Sequence, residues 1–545
     1  MDDQSSGSAA PPESLACALP AWRNSLGEAH VLTEPHQLAP YLHSTSDCGT
    51  VPLAVLRPGT TPEVQEVARI AAAHGLPLYP ISRGRNWGYG DACAVHDGQV
   101  IVDLSRMDRI LHVDETLAYA VIEPGVTQGQ LSSYLRDHGI PLIMDCTGAG
   151  PDTSLVGNIM ERGYGHSAYG NRMQTISGLE IVLPNGELLK TGFGHYDNAQ
   201  ATHLFPYGVG PYLDGLFTQS GLGITTRMGL WLMPEPEHTV HFICMIDADD
   251  DLAAAVDTLR KLRLDGTLRS IVHVGNDLRL LSSGGPFPRD RTGGAGRLPA
   301  DLRRQMRREA GLGAWTISGA LTGSRPQVNA ARQALRRALR RPGWRLRFLT
   351  EGKLDMGYKV ARAFRGTGWG QRLQATVETA RALFDMNKGI PSRRFLAGAY
   401  WKRRGGLPEH FPQQANPAAD NCGMYWVSPV IPMRGEDAVK LHDTIEPIMT
   451  EYDFDLLLTL NTVTDRALGG VITVSYDKED PGEVRRARAC HDALLEAVMR
   501  AGYPPYRVGP QAMTSLNPGD DSYWATVRRI KQALDPKGVM APGRY

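Results

Sequence analysis

A surplus of either charge is missing from this 545-residue chain, in which 58 Lys and Arg stand against 58 Asp and Glu. Proteins that hold nucleic acid by neutralising phosphates carry a basic surplus, so composition argues against that class. No apolar run approaches the roughly 18 residues of a membrane span. The N-terminus, with Asp2 and Asp3 and no apolar stretch, lacks the pattern of a secretory leader. The seven cysteines, Cys17, Cys48, Cys93, Cys146, Cys244, Cys422 and Cys490, are scattered, odd in number and form no CxxC. Free thiols in a reducing cytoplasm are the expectation. None of the 16 His falls in an HExxH pattern, and no metal is expected. There is no GxxxxGK[ST], and Gly165-His166-Ser167-Ala168-Tyr169-Gly170 has the wrong spacing for a nucleophile elbow. Gly148-Ala149-Gly150 and Gly208-Val209-Gly210 follow no convincing strand, which argues against a Rossmann fold.

Hydrophobic residues make up 42%, a globular share, and the length asks for two or more domains. The 59 glycines exceed the average share of about 7%, and their positions carry the information. Thr61-Pro62-Glu63, followed by Val64, Val67, Ala68 and Ala71 and ended by Gly75, predicts a helix capped by Thr61. Strands are expected over Leu76 to Ile81, Val100 to Leu104 and Tyr119 to Glu123, with a hairpin turning at Asn185-Gly186. After Pro234-Glu235-Pro236 the texture shifts to amphipathic helices, among them Asp250 to Leu262 and Asn329 to Arg341, and Tyr523 to Leu534 predicts a last helix. The Arg-rich segment from Arg289 to Arg347 reads as solvated helix faces with apolar stems, not as a nucleic-acid patch.

Three Gly-rich turns fall in the first 230 residues: Ser82-Arg83-Gly84-Arg85-Asn86-Trp87-Gly88-Tyr89-Gly90, Val156 to Gly165, and Phe217 to Thr225. Such turns expose successive backbone N–H groups and let a pyrophosphate approach. Together they predict an extended dinucleotide along one domain.

The first of these turns resembles the flavin pyrophosphate loop of the vanillyl-alcohol oxidase and p-cresol methylhydroxylase family. The similarity continues in order through Glu123-Pro124-Gly125-Val126-Thr127, Gly157-Asn158-x-x-Glu161-Arg162-Gly163, Tyr169-Gly170, Gly210-Pro211-Tyr212-Leu213-Asp214-Gly215, Met233-Pro234, Ser428-Pro429, Gly502-Tyr503-Pro504-Pro505-Tyr506-Arg507 and Ala541-Pro542-Gly543-Arg544. It implies an α+β, two-domain FAD-binding fold with a central α+β cap. The expected boundaries are an N-terminal segment 1–45 with a disordered start, an FAD-binding part 46–236, a cap 237–500, and a return to the FAD-binding domain over 501–545. It further implies that Ser82, Arg83, Gly84, Arg85, Asn86, Trp87, Gly88, Pro124, Gly150, Gly157, Asn158, Glu161, Gly163, Tyr169, Gly223, Ile224 and Arg544 hold FAD. The family passes a hydride from the benzylic carbon of a para-substituted phenolate to flavin N5, leaving a quinone methide. Tyr89, Tyr506 and Arg507 match its phenolate clamp, with Arg544 as a further arginine. Two phenol donors and a guanidinium favour a bound anion.

The departures from the family pattern are specific. Met424 stands where one branch holds a flavin-linking histidine. Tyr400 is the candidate covalent link of the other branch, with non-covalent FAD as the alternative. The cap glutamate and histidine positions fall near Leu460 and Gly469, with Asn461 the nearest polar group. Asp152 is the nearest carboxylate to the acid expected over the flavin, and is a candidate base or a mere cap. The missing base leaves open an unusual substrate, another alcohol or specialised metabolite, or a flavin-binding protein without phenol turnover. The expected partners are a small aromatic substrate, oxygen or a redox carrier as electron acceptor, and a second copy of the chain in a homodimer. No nucleic acid or membrane is expected.

Overall fold

A computed structural model of the chain describes residues 12–47, 49–516 and 521–544. Residues 1–11, where the disordered start was expected, lie outside the described residues, as do Cys48 and Tyr545. Pro12–Leu26 is a helix whose Trp22 is fully buried against the helix Thr61–His74, its indole N–H bonding the Val67 carbonyl. Thr60, not Thr61, caps that second helix by accepting from Glu63 N, which places Pro62 inside the first turn. Gly75 ends it at φ 65°.

Four short strands form the first sheet, in the order Val31–Leu32, Ala54–Leu56, Val100–Asp103, Leu78–Ile81. The Thr61–His74 helix crosses from Ala54–Leu56 to Leu78–Ile81, which flank Val100–Asp103 and run parallel to it. The C-terminal tail closes this sheet, because Leu78 exchanges backbone bonds of 2.7 Å with Val539 and Ala541. A second, antiparallel sheet runs Ile110–Asp114, Tyr119–Ile122, Ile224–Trp231, Ile176–Val182, Leu188–Lys190. Its last pair is the expected hairpin, with Gly186 at φ 82° in the turn.

The third sheet has eight strands. Its path is Trp344–Leu349, His238–Ile246, Trp315–Gly323, His273–Asn276, Leu457–Asn461, Ala467–Asp477, Cys422–Val427, and Val430–Pro432 also pairs with Ala467–Asp477. Leu252–Leu264, Gly435–Glu451 and Pro481–Arg500 are helices that bury Val256, Leu259, Leu441 and Leu494 with the sheet residues Phe242, Leu458 and Ile472. The helix expected over 250–262 begins two residues later, and the one expected over 329–341 occupies Arg325–Ala338, because Ser324 with Gln327 makes a capping box ahead of it. The cap thus adds to the expected helices a sheet of eight strands.

Candidate active site

The strand Leu78–Ile81 delivers the chain into the loop 82–90, where Gly84, Gly88 and Gly90 adopt positive φ. At Gly88 a Cβ would come within 2.8 Å of the Trp426 ring, so any side chain would push the loop from the cap strand Cys422–Val427. The loop is also tied to the N-terminal segment: Gly88 N donates to Thr45 Oγ1 at 2.9 Å, and Thr45 donates twice to Asp91.

This loop forms one wall of a cleft. Ser82, Arg83, Gly84, Arg85, Asn86 and Trp87 line it, facing Gly157, Asn158 and Glu161 at the helix Leu155–Met160. Gly223, Ile224, Trp426, Arg507 and Arg544 complete it. Twelve of the residues expected to hold FAD thus border one space. Gly88, Pro124, Gly150, Gly163 and Tyr169 do not line it. They hold its turns in shape instead: the Pro124 carbonyl accepts from Ser154, the Gly150 carbonyl from Gln128, and Gly163 N donates to Asn158. Sequence reasoning missed Gln219 and Ser220, which line the cleft from the third glycine turn.

The donors present suit a diphosphate. Arg85 Nη1 and Ser220 Oγ, both on the cleft wall, are buried without a hydrogen-bond partner. Burial lowers the Arg85 pKa, which marks a cation short of counter-charge. A group carrying negative oxygens would satisfy both, and FAD fits this wall on its own terms.

Arg507, on the cleft wall, packs against Tyr89 and Tyr506. The Arg507 guanidinium sits 3.7 Å from the Tyr89 ring centre and donates to Asn86 Oδ1 at 2.8 Å. The Tyr89 hydroxyl bonds Ser428 Oγ, and the backbone of Ser428 accepts from Tyr506 N at 3.1 Å. Gln219 secures the same segment by donating to the Tyr506 carbonyl at 2.9 Å. Burial, then the neighbouring Tyr89, holds the Tyr506 hydroxyl well above its ordinary pKa, so it stays a donor. Burial opposes the charge on Arg507, yet Tyr506, Tyr89 and Glu161 outweigh it and raise its pKa. Glu161 is the counter-charge. Burial works against its ionisation, but Arg544, Arg507 and Arg162 pull its pKa down, and Arg544 binds it directly. The Arg507 guanidinium thus lies against both tyrosines, 3.7 Å from the Tyr89 ring centre and 6.0 Å from that of Tyr506.

Asp152 does not join this group. Its two oxygens are each 2.9 Å from the Arg393 guanidinium, and its side chain is 41% exposed. Both of its oxygens are thus taken up by one guanidinium. Tyr400 is fully buried one layer behind the cleft, packed with Trp87 and Met424. Its hydroxyl donates to Asp420 at 2.6 Å, and burial, then that bond, raises its pKa far above the ordinary value.

Tyr164, which no expectation singled out, meets Tyr506 edge-on at 5.3 Å. The same loop carries His166, whose ring lies 4.4 Å from that of His273 on the cap sheet. The loop is pinned by a buried ion pair in which Arg172 donates to Asp145 at 2.7 Å, while Asp145 accepts from the backbone of His166 and Ser167. Among the described residues no group of three or more His, Cys, Asp or Glu is placed to hold a metal ion.

The glycine-walled cleft, the closing C-terminus and the sheet-built cap together define an FAD-linked oxidoreductase fold, and residues 52–192 match the FAD binding domain family. Over 544 residues the chain is 38% identical to 1'-carboxy-chondrochloren decarboxylase of Chondromyces crocatus, covering 97% of each chain. It is 32% identical to the 4-cresol dehydrogenase (hydroxylating) flavoprotein subunit of Pseudomonas putida, over 97% of this chain and 94% of that one. The crystal structure of p-cresol methylhydroxylase with substrate bound superposes with a TM-score of 0.87 at 30% identity, over 98% of this chain and 97% of that chain. The chain belongs to the vanillyl-alcohol oxidase and p-cresol methylhydroxylase family of flavoproteins, and its cofactor is FAD.

Proposed function

We propose that this enzyme oxidises a para-substituted phenol at the benzylic carbon. The observation that carries the reading is the packing of Tyr89 and Tyr506 against Arg507, which lines the FAD cleft. Bound FAD supplies the two-electron acceptor for a hydride. The chain's residues supply the substrate's charge state. Tyr89 and Tyr506 donate O–H to the phenolate oxygen, and Arg507 fixes a positive charge beside it. Each unit by which they lower the phenol's pKa is worth about 1.4 kcal/mol. The phenolate pushes electrons through the ring, so loss of hydride leaves a neutral quinone methide rather than a cation. Arg83, Arg85 and Ser220 are the groups that would hold the diphosphate of FAD. We take FAD as non-covalently held, since the Tyr400 hydroxyl is spent on Asp420 and burial disfavours its phenolate. Flavin that stayed in the pellet after acid precipitation would contradict that.

The test is anaerobic mixing with para-alkylphenols. Loss of the oxidised flavin band is expected, and a band unchanged across the panel would overturn the reading.

A second reading rests on the identity to a named decarboxylase. A substrate with a carboxylate two carbons from the ring needs no base after hydride loss. The bond to the carboxylate carbon breaks, its electron pair forms the side-chain double bond and restores the phenolate, and carbon dioxide leaves. With para-hydroxyphenylpropanoate this reading expects para-vinylphenol and carbon dioxide in equal amounts. Hydroxylated product with the carboxylate retained would contradict it.

A further inference from the structure

His273 is an imidazole whose tautomer is set by its neighbour. Its Nδ1 lies 2.6 Å from Asn461 Oδ1. An amide oxygen only accepts, so Nδ1 carries the hydrogen and Nε2 of the neutral ring keeps its lone pair. Nε2 is closed off from solvent and has no hydrogen-bond partner. His241 shows the opposite arrangement. Asn387 donates to its Nδ1 at 3.2 Å, with the amide orientation set by a second bond to the Leu383 carbonyl, so the unpartnered Nε2 bears hydrogen. His166 donates from Nδ1 to the Cys146 carbonyl at 3.0 Å.

Two routes lead from the phenolate clamp to His273. One passes through Tyr506 and Tyr164 into the loop that presents His166 to the His273 ring. The other follows the cap sheet, where His273 pairs with Asn461, Asn461 with Gly469, and Gly469 with Val430, beside the Ser428 that bonds Tyr89. The acid and the histidine that the family resemblance calls for would fall near Leu460 and Gly469, where this chain has neither and Asn461 is the nearest polar group. The unpartnered Nε2 of His273 lies on the strand paired with that of Asn461.

We propose that His273 Nε2 takes the proton on the side-chain end of the bound phenol, with Asn461 as its positioning residue; this rests on the benzylic-oxidation reading. Once hydride has left for the flavin, the benzylic carbon is electrophilic. A water oxygen bonds that carbon, its O–H breaks toward Nε2, and the exocyclic double-bond pair returns to the ring as phenolate. The product is the benzylic alcohol, and the imidazolium then passes its proton to water that enters as the product leaves. The groups facing the ring favour its neutral, proton-accepting form. Burial acts first, and His166, His241 and Arg279 add to it, against the Asn461 bond, so the His273 pKa lies well below its ordinary value.

The test uses the reduced holoenzyme without oxygen, where no turnover intervenes, and compares calorimetric affinities for para-methylphenol and para-hydroxybenzyl alcohol. The alcohol's O–H donates to Nε2, so wild type should favour it by about three- to tenfold. His273→Phe should erase that preference and keep para-methylphenol binding. If neither phenol binds wild type, the phenol reading itself fails. If both bind and the preference survives His273→Phe, this inference alone is wrong. In single turnover, His273→Gln should leave flavin reduction unchanged and slow alcohol formation by about a hundredfold. Asn461→Asp places a carboxylate on Nδ1–H, raises the imidazole pKa, and should move the acid limb of alcohol formation to higher pH. An unmoved limb would contradict the assignment.

Discussion

Arg507 does two things at once: it stacks on Tyr89 and holds Asn86 of the loop 82–90, so the proposed clamp and the cleft wall share one guanidinium. A lysine offers a charge without the planar fork. Arg507→Lys should lower the anaerobic rate of flavin reduction by phenols by about a hundredfold, the scale of losing one aimed electrostatic donor. Tyr506→Phe should weaken phenol binding and leave FAD content unchanged, because its ring packing on Tyr164 survives. Stopped-flow reduction and the visible spectrum read both. These residues were legible in sequence because each lies inside a short motif. The contact of His166 with His273 was not, because it joins a loop to a strand far along the chain. Ser428 was in view only as half of a Ser-Pro pair, and its bond to Tyr89 needed the fold.

At the scale of elements, the loop bearing Tyr164 and His166 depends on the Arg172–Asp145 pair, with side-chain exposures of 2% and 6%. Removing one partner strands the other charge in the interior, so Arg172→Leu should cost about 3–5 kcal/mol in urea unfolding. Gly84 stands at φ 61°, and a Cβ there would sit 2.7 Å from Ala92 Cβ. Gly84→Ala should therefore yield protein that folds but is purified with little flavin, read as the ratio of visible to ultraviolet absorbance. The Thr61–His74 helix and the hairpin at Gly186 were readable because caps, turns and periodicity agree there, whereas the helices Pro12–Leu26 and Leu155–Met160 were not anticipated. The cap strands were not. Trp315–Gly323 and Ala467–Asp477 are central in the sheet and buried along most of their length, which erases the alternation that marks a half-exposed strand.

Over the whole molecule the charges balance, and the buried titrating groups give stability its pH dependence. Burial, then His166, holds His241 at about 4, against an ordinary value near 6.5. The folded state resists the proton that the unfolded state accepts. This contribution is complete above pH 6.5 and is lost as pH falls toward 4, at about 1.4 kcal/mol per unit. Asp91 has the opposite sign. Burial, against the Thr45 and Ser44 bonds, raises it to about 6, so its contribution is present below its ordinary value and fades as pH rises through 6. His241→Gln should therefore flatten the acid side of the stability profile, measured as melting temperature against pH, and leave the limb above pH 6.5 unchanged. Among the described residues no helix is long and apolar enough to cross a membrane.

The central claim is that Tyr89, Tyr506 and Arg507 bind a phenol as its anion beside FAD. Anaerobic mixing of the holoenzyme with para-methylphenol, and separately with its methyl ether, tests it most directly. The account predicts that the phenol bleaches the flavin and the ether, which has no phenolate to offer, does not. Equal bleaching by both, or by neither, would contradict it.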